Sequence, residues 1–207
     1  MIPHWSFVTN AQDDSTGRIW VGWNPENIKL SVLINNTQMI HVRIEHTSIG
    51  VAFEASFIYG LHTAHDRGSL WRNMCYCADS VGSLPWICLG DYNVILHPNE
   101  VYGGNMGRDQ GSVEFNECVN ACSLVDLRYI GYFYTWDNRR SDSENVIKKK
   151  LDRAMVNQSW LDQFSSAFAE FLPSGISDHS PIIIHVKSTS RKKGLPFKFY
   201  NYWTTLD

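Results

Sequence analysis

Two short runs hold most of the chemistry this chain can offer: Gly90-Asp91-Tyr92-Asn93 and Ser177-Asp178-His179-Ser180-Pro181. The apolar run Leu84-Pro-Trp-Ile-Cys-Leu89 precedes the first, and Ile182-Ile-Ile-His185 follows the second. Two carboxylates, a carboxamide and an imidazole at strand ends are groups that hydrolyse a phosphodiester beside a hard metal ion. In an extended segment Asp91 and Asn93, two apart, point to the same side. There a carboxylate orients or deprotonates water, and a carboxamide holds that water or a phosphate oxygen. An ordinary Asx turn after Gly90 accounts for the same residues. Asp178 beside His179 suits a cation and a phosphate, and equally a polar turn before a strand, with Pro181 restricting Ser180. Asp152, in Lys150-Leu151-Asp152-Arg153, sits among apolar residues and needs a partner if buried. An imidazole whose tautomer it fixes is one partner; Arg153 is another. Tyr59 closes a strand before Gly60, as a site phenol or as a ring at the core edge. His185 lies inside an apolar strand and reads as structural.

These groups need strands to hold them, and the pattern supplies many. Trp5–Val8, Gly17–Trp23, Leu30–Ile34, Gln38–Ile44 and Val51–Tyr59 read as strands, the third and fourth joined at Asn35-Asn36 as a hairpin. Ile40, Val42 and Ile44 alternate as in a half-buried strand. Helices are expected over Asp66–Ser80, with Leu70, Trp71, Met74 and Ala78 on one side, and over Ser112–Ser123, with Ser112 as N-cap. Asn157 reads as the cap of a short helix through Trp160 and Phe164. Phe168–Leu172 and Pro181–Val186 are late strands, and residues 97–111 a loop. Antiparallel strands in two regions, with helices between and outside them, make a two-sheet α/β sandwich the simplest architecture.

Composition bounds the partners. The chain has 207 residues, enough for one sizeable domain, and 43% hydrophobic residues allow a full core. A formal net charge of −3 gives no basic signature for nucleic acid. No apolar run of about eighteen residues is present, so no membrane span is expected, and the first residues do not read as a signal peptide. The expectation is an intracellular protein, nuclear or cytoplasmic, and monomeric. Five cysteines, without a secretion signal, point to reduced buried thiols. Cys118 and Cys122 share a helical face, but a zinc site needs two further ligands at suitable spacing, and none stands out.

The order of the pieces is more specific than any one of them. Tyr59 at a strand end, Gly90-Asp91-x-Asn93, Thr135-Trp136, Leu151-Asp152-Arg153 and Ser177-Asp178-His179-x-Pro181 together resemble the endonuclease/exonuclease/phosphatase superfamily, with its deoxyribonuclease I-like sandwich. Further stretches resemble the endonuclease domain of plant LINE-type (non-LTR) retrotransposons: Gly17-Arg-Ile-Trp-Val, Trp23-Asn24-Pro25, Gln38-Met-Ile-His41, Arg67-x-x-Leu70-Trp71, Glu100-x-x-Gly103-Gly104 and Gly131-x-x-Tyr134-Thr-Trp136-x-Asn138. Residues 1–186 would form that domain, and 187–207, with Pro196–Trp203, would lead toward a reverse-transcriptase region of the parent polyprotein.

The resemblance implies roles. Asp91 would orient or activate the attacking water, with Asn93 beside it. His179 would contact the scissile phosphate, Asp152 would orient His179, and Tyr59 would position the phosphate. Asp178 would lie at a Mg2+ or Mn2+ ion, and Thr135, Trp136 and Asn138 would border the DNA groove. Such a domain begins with a β-α-β segment carrying a catalytic Asn and a metal-binding Glu. This chain is expected to lack both, and with them robust DNA nicking. Leu61-His62 stands where relatives often place an Asn. A non-catalytic remnant or nucleic-acid-binding module, and a phosphatase of small phosphate esters, are the alternative readings.

Overall fold

The computed structural model describes residues 3–11, 17–104, 110–140, 142 and 144–186; the predicted linker at 187–207 lies outside the described residues. The first sixty residues give β1 (Ser6–Thr9), β2 (Trp20–Trp23), β3 (Ile28–Asn35), β4 (Met39–His46) and β5 (Val51–Tyr59). Helix α1 (Ala64–Val81) leads to β6 (Trp86–Asp91) and, through a short 3-10 turn, to β7 (Val101–Tyr102). Helix α2 (Gln110–Ala121) precedes β8 (Val125–Asp126), β9 (Tyr129–Gly131), β10 (Trp136–Asp137), β11 (Lys148–Lys149) and β12 (Asp152–Val156). The chain then forms α3 (Gln158–Gln163), β13 (Phe168–Phe171) and β14 (Ile182–His185).

A six-stranded sheet in the order β3-β4-β5-β6-β12-β8 organises the molecule. β3, β4 and β5 form an antiparallel meander, β6 runs parallel to β5, and β12 returns antiparallel to β6. Two apolar cores lie on its two faces. One joins Met39, Trp86, Cys88 and Met155 to Leu70, Trp71 and Met74 of α1 and to Phe115 and Val119 of α2. The other joins Ile40, Val42, Ala55, Ile87 and Ala154 to β1-β2, to the β14-β13-β9 sheet and to Trp160 and Phe164. This is an α/β sandwich of mostly antiparallel sheets, as the sequence predicts.

Two local expectations change and a third holds. β4 is buried on both faces over its first half, because the helix-side core covers Met39, while Ser56, Glu54 and Trp86 enclose His41 and the second layer covers Ile40 and Val42. Alternation therefore marked only one of its two buried faces. Ser112 is not a cap: α2 already runs from Gln110, which leaves Ser112 in its first turn. Asn157 does cap α3, accepting the Trp160 N–H, and it also bonds Trp86 N and Leu84 O, tying the helix to the start of β6.

Candidate active site

The site forms where three strand ends meet. Asp91 ends β6, and its register partners are Asp152 on antiparallel β12 and Tyr59 on parallel β5. Placing two carboxylates opposite each other costs energy, so this pairing needs compensation. Gly90 is what lets β6 reach this position. Its φ is +136°, and an added Cβ would run into the Ile58 carbonyl of β5.

His179 arrives from a separate loop. Ser180 N donates to Thr135 O at 2.8 Å and Asp137 N to Asp178 O at 3.2 Å, so the 177–180 segment is stitched to the start of β10. Thr135 is buried, and its Oγ1 accepts the N–H groups of Leu151 (3.0 Å) and Asp152 (2.9 Å). One threonine therefore fixes the entry to β12 and the approach of the histidine loop. The imidazole Nδ1 lies 2.9 Å from Asp152 Oδ2, and Nε2 lies 4.0 Å from Asp91 Oδ2. The first is a hydrogen bond; the second is too long for one and leaves Nε2 open to a third oxygen. The ligand atoms of Asp91, Asp152 and His179 all lie within 4.8 Å of one another.

The electrostatics follow. Burial first, then the Asp152 carboxylate, pushes Asp91 up to about 6, although the Asn93 N–H and His179 pull the other way. The hydrogen bond that His179 donates to Asp152 holds the imidazole above its usual range, against burial. Near neutral pH the site thus keeps a basic carboxylate beside an imidazole biased toward its cation.

Other predicted residues surround this centre in varied ways. Asn93 does not extend the strand; it has φ +52°, its N–H donates to Asp91 Oδ1 at 2.8 Å, and its Nδ2 donates to Gly60 O at 2.7 Å. The Asx-turn reading describes it, and the same-side geometry of an extended pair does not apply. Asp178 is exposed, with Oδ2 accepting from Trp136 Nε1 at 3.0 Å. Asn138 closes its own loop, donating to Asn145 O and accepting from Ile147 N. Lys150 turns inward to Asp126, while Lys148 stays exposed.

Two groups escaped sequence reasoning. Arg18 is exposed and donates to Tyr59 Oη at 2.7 Å, and a lone Arg before Ile19-Trp20 gave no hint of that position. Buried Arg153 pairs with Glu100 and Asp126 beneath the carboxylates. The sequence offered Arg153 as a partner for Asp152, but the two alternate along β12 and face opposite sides.

No family sequence model matches the chain, and no curated protein matches it; the likeness is in the fold. The endonuclease domain of TRAS1, a telomere-specific non-LTR retrotransposon, superposes with a TM-score of 0.71 at 13% identity, covering 91% of this chain and 82% of that one. An AP endonuclease from Leishmania major gives 0.61 at 14% identity over 88% of this chain and 70% of the other. An endonuclease/exonuclease/phosphatase protein from Bacteroides vulgatus gives 0.55 at 15% identity over 89% and 77%. With two apolar cores flanking one six-stranded sheet and the Asp91, Asp152 and His179 side chains gathered at its strand ends, the chain has the endonuclease/exonuclease/phosphatase fold.

Proposed function

We propose that this chain is a divalent-metal-dependent endonuclease of the retrotransposon type that cuts a DNA phosphodiester bond and leaves a 3′ hydroxyl, the group on which a reverse transcriptase primes. The observation that carries the reading is the convergence of Asp91, His179 and Asp152, with Nε2 of the imidazole left open.

The donor set fits a hard cation. Asp91 and Asp152 repel each other in partial burial, and a positive ion relieves that repulsion. Asp178, on the rim, would hold the ion near the Asp91–Asp152 pair; Mg2+ takes one or two carboxylates and completes its shell with water and phosphate oxygens. Once bound, the ion offsets charge that develops on the phosphoryl group.

The chain's own residues do the rest. Asp91, raised to about 6, is basic enough to orient a water and take its proton. Asp152 holds His179 Nδ1, so Nε2 donates its proton to a phosphate oxygen. Tyr59 and Arg18 border the same edge. A cavity of about 210 Å³ beside Asp178 is lined by Tyr132, Phe133, Trp136 and Lys148, rings on which a base stacks and a cation for its phosphate.

A supercoiled-plasmid nicking assay with Mg2+ or Mn2+ tests this, followed by polymerase extension from the nick to detect the 3′ hydroxyl. Weak rather than robust nicking, abolished by Asp91→Ala and His179→Ala, is expected. Wild-type protein that leaves the plasmid intact with both metals, or variants that nick as well as wild type, would sink the proposal.

A further inference from the structure

The second chemical cluster lies across the sheet from the carboxylates, where α1 packs on α2. Cys75 projects from α1, Cys118 from α2, and Cys122 follows the end of α2. Cys122 Sγ lies 3.9 Å from Cys75 Sγ and 4.0 Å from Cys118 Sγ, and all three sulfurs fall within 4.8 Å of one another. All three are free thiols. Spacing alone pairs Cys118 with Cys122; the fold supplies the third sulfur, 43 positions before Cys118 in the chain.

We propose that these three sulfurs form a binding site for a thiophilic d10 cation, Zn2+ or Cu+, which clips α1 to the end of α2. The sulfur spacing carries the argument. At a metal–sulfur distance of ~2.3 Å, sulfurs set tetrahedrally or trigonally about one ion lie ~3.8–4.0 Å apart. The two short separations already have that value, so the shell closes with small side-chain rotations. Soft thiolates select this class of metal over Mg2+ or Mn2+, which keeps the site chemically separate from the carboxylates.

Access is also present. Cys118 and Cys122 are buried while Cys75 is half-exposed, so the cluster has one face toward water. Cys75 and Cys118 line an open groove between the helices together with Asp79, one turn beyond Cys75 on α1. Asp79 shares the helix face of Cys75 at i, i+4 but does not join the three sulfurs within 4.8 Å, so water would complete the shell of Zn2+. Three sulfurs alone suffice for Cu+. Buried cysteines often serve simply as small apolar residues, and Cys77 and Cys88 do so here within the same core. They lack the convergence that distinguishes the other three.

The test uses the reduced full chain titrated with Cd2+ as a spectroscopic stand-in for Zn2+. The expected result is one ion per chain, a thiolate-to-metal charge-transfer absorption in the ultraviolet and a rise in thermal midpoint. Cys75→Ser, at the half-exposed position, should weaken binding by more than about a hundredfold, beyond the cost of losing an outer-shell partner. A second measurement needs no variant: bound Zn2+ should protect Cys75 from alkylation, as read by peptide mass mapping. No charge-transfer band, a Cys75→Ser isotherm equal to wild type, or unchanged alkylation of Cys75 would each overturn the site.

Discussion

Replacing Asp91 with Asn should disable the protein and stabilise it. Asp91 is held at about 6 against an ordinary value of 3.8. A folded-state value above the unfolded one means that the folded chain prefers the protonated carboxyl. That contribution to stability is fully present below about pH 4 and is lost as pH rises through about 6. At pH 8 the wild type carries the whole penalty of an ionised, mostly buried carboxylate facing Asp152, and the roughly two-unit displacement corresponds to about 3 kcal/mol. The amide removes the charge and keeps an oxygen to accept the Asn93 N–H. For a domain of this size, 1 kcal/mol moves the thermal midpoint by about 2–4 °C, so Asp91→Asn should melt ~6–12 °C higher at pH 8. Thermal unfolding from pH 4 to pH 8, with chelator present, measures this. The gap between variant and wild type should open across the window from about 4 to about 6, and Mg2+ should narrow it at pH 8. A gap that does not change with pH, or a variant less stable than wild type at pH 8, would refute the reasoning. The same variant should fail to nick plasmid.

Two further outcomes follow from the neighbours of Asp91. Asp152→Asn should lower the His179 titration midpoint seen by NMR, since the Asp152 hydrogen bond is the main force raising it; stability from that pair, present below about pH 6.5 and lost as pH rises through the folded value, should shrink with it. Arg153→Met should destabilise the fold by about 3–5 kcal/mol in urea denaturation, because it leaves the buried Glu100 carboxylate without its cation, and adding Glu100→Gln should recover part of the loss.

Much of this was legible because strands repeat with a simple period. Val51–Tyr59, Leu84–Leu89 and Phe168–Leu172 announced strands by their apolar content, and Tyr59 at the end of the first, Asp91 just past the second and His179 in the loop after the third fell at a common edge. Strand order across the sheet was not legible, since pairing β12 between β6 and β8 depends on contacts distant in sequence. Asn93 shows the limit of local reasoning. Two residues after Gly90 it could extend the strand or fold back as an Asx turn, and only the Gly60 carbonyl decides between them. Cys75 shows the same limit at longer range: no spacing rule links it to Cys118 and Cys122, and helix packing does. Thr135 read as a groove residue through the family resemblance, and nothing local to it showed that its Oγ1 also holds the Leu151 and Asp152 N–H groups.

The register of β12 has a consequence for how the gene can change. Asp152 faces Asp91 and His179, while Arg153, the next residue, faces Glu100 and Phe115 through the other side of the sheet. Inserting or deleting one residue ahead of β12 would turn every side chain over. Arg153 would enter the reactive edge, and Asp152 would be driven against Glu100 in the interior, two like charges with no water. The fold and the site therefore fail together under a length change there. Point substitutions at Asp91 or His179 carry no such structural penalty, so a lineage released from selection for cleavage should lose those residues first and keep the spacing of β12 longest.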